Sequence, residues 1–223
     1  MMAESMLKLI KKDGSIIIEV QYLLNTLKDL TFDNIYHEHY NYWSLTSLVT
    51  FFKRFKAIVY KAEKINTHGG SLRIYVKKNF KNKIDKSIKS LLNEEEKFGI
   101  KKYQTYQNFA KEVYKIRDSV RKNILKLKEN GTKIIGYGSP AKATTALNFF
   151  GISDEIECIV EDNKLKQGKL LPGVKIPIVS KSEIKNKPDF ALVLAWNFIN
   201  EIKSKNADLA HKFISIKDLE KKD

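Results

Sequence analysis

Beyond Gly131, apolar runs and helical patterns take turns to the end of the chain, and this alternation restricts the fold more than any other feature of the sequence. Strands are predicted at Lys133–Tyr137, Glu157–Glu161, Ala191–Ala195 and Phe213–Ile216. Helical patterns fall between them, at Ser139–Phe150, Lys181–Lys185 and Phe198–Leu209. Such alternation predicts a small parallel α/β sheet, Rossmann-like in form, for residues 131–223.

The preceding residues divide into two further regions. In residues 1–80, Ile16-Ile17-Ile18-Glu19-Val20 is a nearly continuous apolar run. A run of that kind suits a strand buried on both faces of a parallel sheet. Ser44 is placed to cap a helix through Phe55, because Leu45, Leu48, Val49 and Phe52 fall at helical spacing. Two more strands, Ala57–Glu63 and Leu72–Lys78, flank the turn His68-Gly69-Gly70 and read as an antiparallel pair. Residues 81–130 read as a helical connector. Tyr103, Tyr106, Phe109, Val113, Ile116, Val120, Ile124 and Leu127 repeat at three and four residues, one apolar stripe better suited to core packing than to a cofactor wall. Asn130-Gly131 ends it.

The net charge of +15 raises nucleic-acid binding as a function. Only four of the 41 basic residues are arginines, namely Arg54, Arg73, Arg117 and Arg121. Between Lys77 and Lys133 there are 17 basic and 7 acidic residues, so +10 of the excess lies on a helical stretch. Bidentate readout of bases and phosphates favours Arg, so compositional Lys bias is the better account, and no nucleic-acid partner is expected. No apolar run approaches the roughly 18–20 residues that cross a bilayer. The N-terminus lacks the pattern of a signal peptide, and a cytoplasmic protein with no membrane partner is expected. A lone cysteine, Cys158, excludes an internal disulfide framework and a cysteine-built zinc site within these residues.

Three clusters carry chemistry. The densest is Phe32-Asp33-Asn34-Ile35-Tyr36-His37-Glu38-His39-Tyr40-Asn41-Tyr42-Trp43. His37 and His39, two residues apart, share a face in extended chain. A histidine base tuned by a Tyr or carboxylate, a metal site completed by Asp33, Glu38 or His68, and a polar loop of structural histidines all fit these residues. The second cluster is His68-Gly69-Gly70-Ser71-Leu72-Arg73, where two glycines allow close backbone approach and Arg73 can hold a phosphate or carboxylate. The third runs from Lys133 through Gly136-Tyr137-Gly138-Ser139-Pro140-Ala141-Lys142. Here a strand enters a glycine turn, Ser139 is a candidate N-cap, Pro140 takes the first helical position, and Lys142 adds positive charge at a helix N-terminus. The turn departs from G-x-G-x-x-G, and Glu161 or Asp162 is a candidate ribose ligand. An ordinary strand–turn–helix explains it as well.

Taken together, these segments resemble the sugar C-methyltransferases, which use S-adenosylmethionine to methylate nucleotide-linked keto sugars. The resemblance rests on residues 32–39, 68–73 and 136–142, on Asp162-Asn163-Lys164-Leu165-Lys166-Gln167-Gly168, on Leu171-Pro172-Gly173 and on Leu194-Ala195-Trp196-Asn197-Phe198, in order across nearly the whole chain. It implies that residues 1–80 are the truncated C-terminal part of a Rossmann-like methyltransferase sheet, with 57–63 and 72–78 its closing antiparallel strands. Residues 81–130 would then connect to a Rossmann-like C-terminal domain at 131–223. It assigns His39 as the base, with Tyr36 and Glu38 orienting it or stabilising the oxyanion. His68, Gly69, Gly70, Ser71 and Arg73, together with Gly136, Gly138, Ser139 and Lys142, become candidate contacts for the nucleotide-sugar. The family's donor loop and zinc-binding cysteines have no counterpart here, so S-adenosylmethionine is expected mainly on an upstream half and zinc only in an N-terminal domain beyond this chain. A nucleotide-binding module without catalysis is the alternative.

Overall fold

The computed structural model describes residues 2–67, 69–78 and 83–220. Its contacts gather into two compact units: Met1–Thr31 with His39–Lys111, and Phe32–Glu38 with Glu112–Asp223. The first contains α1 (Met2–Leu9), β1 (Ile16–Gln21), α2 (Leu23–Lys28), α3 (Leu45–Lys53), β2 (Ala57–Ile65), β3 (Ser71–Lys78) and α4 (Lys86–Phe98). The long α5 (Tyr103–Glu129) starts in it and ends in the second unit.

The sheet of the first unit has the order β1-β3-β2, with β3 antiparallel to both neighbours. The hairpin expected from residues 57–63 and 72–78 is therefore present, with an irregularity at Val59/Lys61. The run Ile16–Val20 does not lie in a parallel sheet, as its continuous apolar character predicts. It pairs antiparallel with β3, lies at the edge of the sheet, and leaves Ile17 60% exposed. Hydropathy alone does not separate a doubly buried strand from an edge strand with one solvent-facing side. Leu72, Ile74 and Val76 of β3 pack with Leu45, Leu48 and Phe52 of α3 and with Ile88 and Leu91 of α4 in one core.

At the centre of this core sits a carboxylate. Glu95 of α4 has no solvent exposure. Its Oε1 accepts from Tyr22 Oη (2.9 Å) and the Leu45 amide (2.6 Å). Its Oε2 accepts from the Thr46 amide (2.9 Å) and hydroxyl (2.6 Å). Ser44, as expected, caps α3 by accepting from the Ser47 amide in a reciprocal capping box. Ser44 and Glu95 together satisfy three of the N–H groups that the first turn of a helix leaves without partners, and the negative charge lies at the favourable end of the helix dipole. Burial first, then the charge of Glu95, raises the pKa of the Tyr22 phenol.

The helical stripe is realised in α5, where Val113, Val120 and Ile124 are buried. Its first members differ: Tyr103 is 76% exposed, and Tyr106 instead donates its hydroxyl to the Ile100 carbonyl (2.7 Å). Gly131, with φ +74°, follows the helix end.

The second unit is the parallel α/β sheet that the alternation predicts. It comprises β4 (Ile134–Tyr137), α6 (Ala141–Phe150), β5 (Ile159–Val160), β6 (Ile178–Val179), β7 (Phe190–Val193), α7 (Ile199–Lys205), β8 (Lys212–Ser215) and α8 (Ile216–Leu219). All five strands are parallel, in the order β6-β5-β4-β7-β8. The central strand β4 is buried along its whole length, as a strand covered on both faces must be. The chain moves from β4 to one side of the sheet through β5 and β6, then returns to the other side with β7. The topological switch point thus lies between the carboxyl ends of β4 and β7. The pattern at Lys181–Lys185 forms only a short 3₁₀ turn, Lys181–Glu183. Among the described residues no helix is long and apolar enough to cross a membrane.

Removing the buried carboxylate leaves two amides and two hydroxyls unpaired. Glu95→Ala is expected to lower the unfolding free energy by about 3 kcal/mol, and Tyr22→Phe by about 1 kcal/mol. Urea titration followed by circular dichroism measures both.

Candidate functional site

The segment carrying Tyr36–His39 is held at both of its ends. On the upstream side, residues Phe32–Asn34 form a 3₁₀ turn against α6. The Phe32 ring lies 5.0 Å from Phe149 and 5.6 Å from Phe150, the second contact edge-on. The buried Asp33 carboxylate accepts from Trp196 Nε1 at 3.0 Å. On the downstream side, the Leu23 amide donates to the Trp43 carbonyl (2.9 Å), and Ser44 begins the capped helix α3.

Between these anchors the side chains differ sharply in exposure. Tyr36 is half-buried, with its ring edge-on to His37 at 6.1 Å. Burial above all, then the charges of Glu38 and Asp33, raise its pKa, so the phenol keeps its proton at neutral pH. His37 and Glu38 face outward, their side chains 83% and 64% exposed and 4.0 Å apart. His39 is half-buried and stacks on Tyr42 at 6.4 Å with 26° between the rings. Among the described residues no three His, Cys, Asp or Glu side chains gather in a way that could hold a metal ion.

Of the second cluster, His68 lies outside the described residues. Gly69 and Gly70 have φ of +82° and +110°. A Cβ at Gly70 would meet Asn25 Nδ2 at 2.1 Å, so the hairpin turn approaches α2 at a distance that only glycine permits. The Ser71 hydroxyl accepts from Thr67 Oγ1 at 3.0 Å. Arg73 Nε and Nη2 donate to Glu19 Oε2 (3.2 and 2.8 Å), and Nη1 lies 3.9 Å from Glu63 Oε1. The strand register sets both pairs, since Glu19 and Glu63 are the cross-strand partners of Arg73.

The third cluster is a turn whose polar groups are turned inward. A Cβ on Gly136 would meet Ile159 Cγ1 at 2.9 Å and Leu194 Cδ1 at 3.1 Å, so this glycine serves strand packing. Gly138 has φ +84° and lies against Ala195, where an added Cβ would come within 3.2 Å. Ser139 does not cap α6, as the sequence pattern predicts. Pro140 occupies the cap position, and the Ser139 amide and hydroxyl both donate to Glu161 Oε2 at 2.9 and 2.6 Å. A carboxylate brought in 22 residues later competes for the hydroxyl in a way local pattern does not reveal. Lys166 Nζ donates to the Ser139 carbonyl at 2.8 Å and stands 3.7 Å from Glu161 Oε2.

Of the two candidate ribose carboxylates, Glu161 is taken up by Ser139, whereas Asp162 is exposed. Asp162 accepts from the Tyr137 hydroxyl at 2.9 Å, and Asn206 Nδ2 donates to that same hydroxyl at 3.0 Å. Burial, followed by the bond to Asp162, pushes the Tyr137 phenol up to about 12. Lys142 alone in this cluster has an unsatisfied group: its Nζ is buried with no hydrogen-bond partner and lies 5.5 Å from the centre of the Trp196 ring. Burial pushes the Cys158 thiol up to about 11, with Glu157 and Glu183 adding to the effect, which leaves it a poor nucleophile.

The assigned residues therefore divide between the two units. Tyr36, Glu38, Gly136, Gly138, Ser139 and Lys142 belong to one, and His39, Gly69, Gly70, Ser71 and Arg73 to the other. Sequence reasoning missed the anchoring roles of Asp33, Glu95 and Trp196. Glu95 had a signal, since it follows Ile88 and Leu91 at core spacing on α4, where an unpaired acid would not be tolerated.

Residues 66–215 match the family described as the C-methyltransferase C-terminal domain. The chain is also 35% identical over 197 residues to the C-methyltransferase NovU of Streptomyces niveus, an alignment covering 87% of this chain and 47% of that protein. The chain belongs to the C-methyltransferase family. It spans about half the length of the curated relative it matches.

Burial pushes the Glu161 carboxyl up, but the Ser139 hydroxyl, the Asn163 and Ser139 amides and the Lys166 ammonium outweigh it and hold its pKa below the ordinary 4.5. The stabilisation from a depressed carboxyl is complete above the unfolded value and disappears as pH falls through the folded one. Glu161→Gln is expected to cost about 1–2 kcal/mol at pH 7, and its difference from the unsubstituted protein narrows as pH falls through the lowered pKa of the carboxyl. Urea midpoints measured from pH 7 downward check this.

Proposed function

We propose that this chain supplies the acceptor chemistry of an enzyme that transfers a methyl group from S-adenosylmethionine to a carbon of a nucleotide-linked keto sugar. The observation that carries the reading is the uninterrupted Tyr36-His37-Glu38-His39 segment in a chain of the C-methyltransferase family, anchored at Phe32–Asp33 and at Ser44.

A ketone acidifies the carbon–hydrogen bond beside it. A neutral imidazole is a ready proton acceptor, so His39 can take that proton. The electron pair moves into the enolate, whose oxygen needs a donor. The Tyr36 phenol suits that role because its raised pKa keeps the hydroxyl proton in place. The Glu38 carboxylate beside His39 in the chain favours the imidazolium that results. The methyl donor, when bound, supplies an electrophilic carbon. Methyl transfer to the enolate carbon would form the new carbon–carbon bond at the expense of the donor's carbon–sulfur bond, while the proton stays on His39.

The turn after β4 is a poor cradle for the donor, because Glu161 already occupies the Ser139 amide and hydroxyl. That supports donor binding elsewhere than in residues 131–223. The sugar contacts at Gly69, Gly70 and Ser71 remain part of this proposal, with Arg73 available to an anionic group on releasing Glu19.

Enolisation can be followed without a methyl donor. In D₂O with a nucleotide-linked keto sugar, the chain is expected to speed deuterium exchange at the carbon beside the ketone, read by NMR. His39→Ala is expected to slow that exchange by about 10²–10⁴-fold and Tyr36→Phe by about 10²-fold. Exchange that persists unchanged in His39→Ala removes the proposed base.

A further inference from the structure

The last strand of the parallel sheet, β8, has a neighbouring strand on one side only. That inner side is committed to β7, with the Lys212 amide donating to the Asp189 carbonyl at 2.9 Å. Successive residues of a strand direct their amide and carbonyl to opposite sides, so those of Phe213 are directed outward. The next outward residue, Ser215, is closed, because its amide donates to Asp218 Oδ2 at 2.7 Å. The pairing groups that β8 offers to an incoming strand are thus centred on Phe213.

A groove of about 550 Å³ follows this edge, lined by Lys212, Phe213 and Ile214 of β8 itself. Leu127 of α5, Phe190 of β7 and the half-buried Phe213 give it apolar surface. Lys126 of α5 and Lys203 of α7 line it together with Lys212, and all three lysines are exposed. Among the described residues of the groove Asp218 alone is acidic. Its carboxylate is engaged in capping α8, where it accepts from the Ser215 amide and, at 2.9 Å, from the Ser215 hydroxyl. The groove is therefore a strand edge with apolar surface and a positive rim.

An outer strand edge is a template for pairing with another chain. Charge decides which chain it accepts. A second copy would set Lys203 and Lys212 against their own equivalents, and like charges brought together across an interface are strongly disfavoured. The same two lysines favour an incoming strand that carries carboxylates.

We propose that the outer edge of β8 is a docking site for an extended acidic segment of another protein, which adds to the five-stranded sheet as a further strand. The segment pairs with the Phe213 backbone, lays aliphatic side chains on Leu127, Phe190 and Phe213, and sets its carboxylates near Lys203 and Lys212. Phe190 and Lys212 are the first residues of β7 and β8, so the site includes the amino ends of these strands and is independent of the methyl-transfer reading.

The probe is a fluorescent peptide of about eight residues in which glutamate and valine alternate, titrated into the full chain and followed by anisotropy. Saturable binding is expected, weakening as salt rises. Lys203→Glu and Lys212→Glu are each expected to weaken it about tenfold. Lys89→Glu, at an exposed position of α4, is the control and is expected to bind unchanged. Hydrogen exchange at the Phe213 amide is expected to slow about tenfold in the complex, a readout that needs no substitution.

Absence of binding, or binding that survives both substitutions, overturns the site. Polyglutamate that binds as tightly as the alternating peptide reduces the contact to charge attraction and overturns strand addition, as does unchanged exchange at Phe213. A dimer of the chain that the peptide dissociates assigns the edge to a second copy and overturns the acidic partner.

Discussion

One carboxylate with no access to water organises the first unit. Glu95 bonds to the residue that opens α2, to the first two amides of α3 and to a hydroxyl on that helix, and it does so from α4. Three helices that share little local sequence logic are thereby referenced to a single pair of oxygen atoms. Hydrophobic packing around them is directionless, so it permits small slides of one helix over another. The four donors restrict such slides because each bond has a preferred length and direction. The downstream end of the His39 segment, at Ser44, adjoins the amides held by this group, while its upstream end is held by the side chains of Phe32 and Asp33.

Much of the second unit was legible because a strand covered on both faces must be apolar throughout, and β4 and β7 are. What escaped reading did so for identifiable reasons. The strands β5 and β6 span two residues each, too few for any periodicity, and their partners are decided by the sheet. The run of isoleucines in β1 looked like an interior strand because hydropathy reports composition and not which neighbours are present. The serine expected to cap α6 was claimed by Glu161, whose place opposite the turn follows from strand order and not from anything within the turn.

The candidate site divides along the same line. Tyr36, Glu38 and His39 could be singled out because ionisable and aromatic residues crowd together in one short stretch. Trp196 could not be assigned a role, since its importance lies in bringing together side chains from residues 33, 142 and 217. Lys142 was visible as a positive charge at a helix start. That its ammonium is sealed and unpaired is a property of packing alone.

Residues 32–38 are flanked on both sides by the first unit yet keep company with the second. The chain accordingly crosses the boundary at three places, near residues 31, 38 and 111. Neither unit is a continuous stretch of sequence, so exchange between related genes at one breakpoint, for instance within α5, would part Phe32 and Asp33 from Phe149, Phe150 and Trp196 and leave a hybrid with mismatched halves of one packing arrangement. Inheritance of the histidine segment is thereby linked to inheritance of the distant C-terminal sheet.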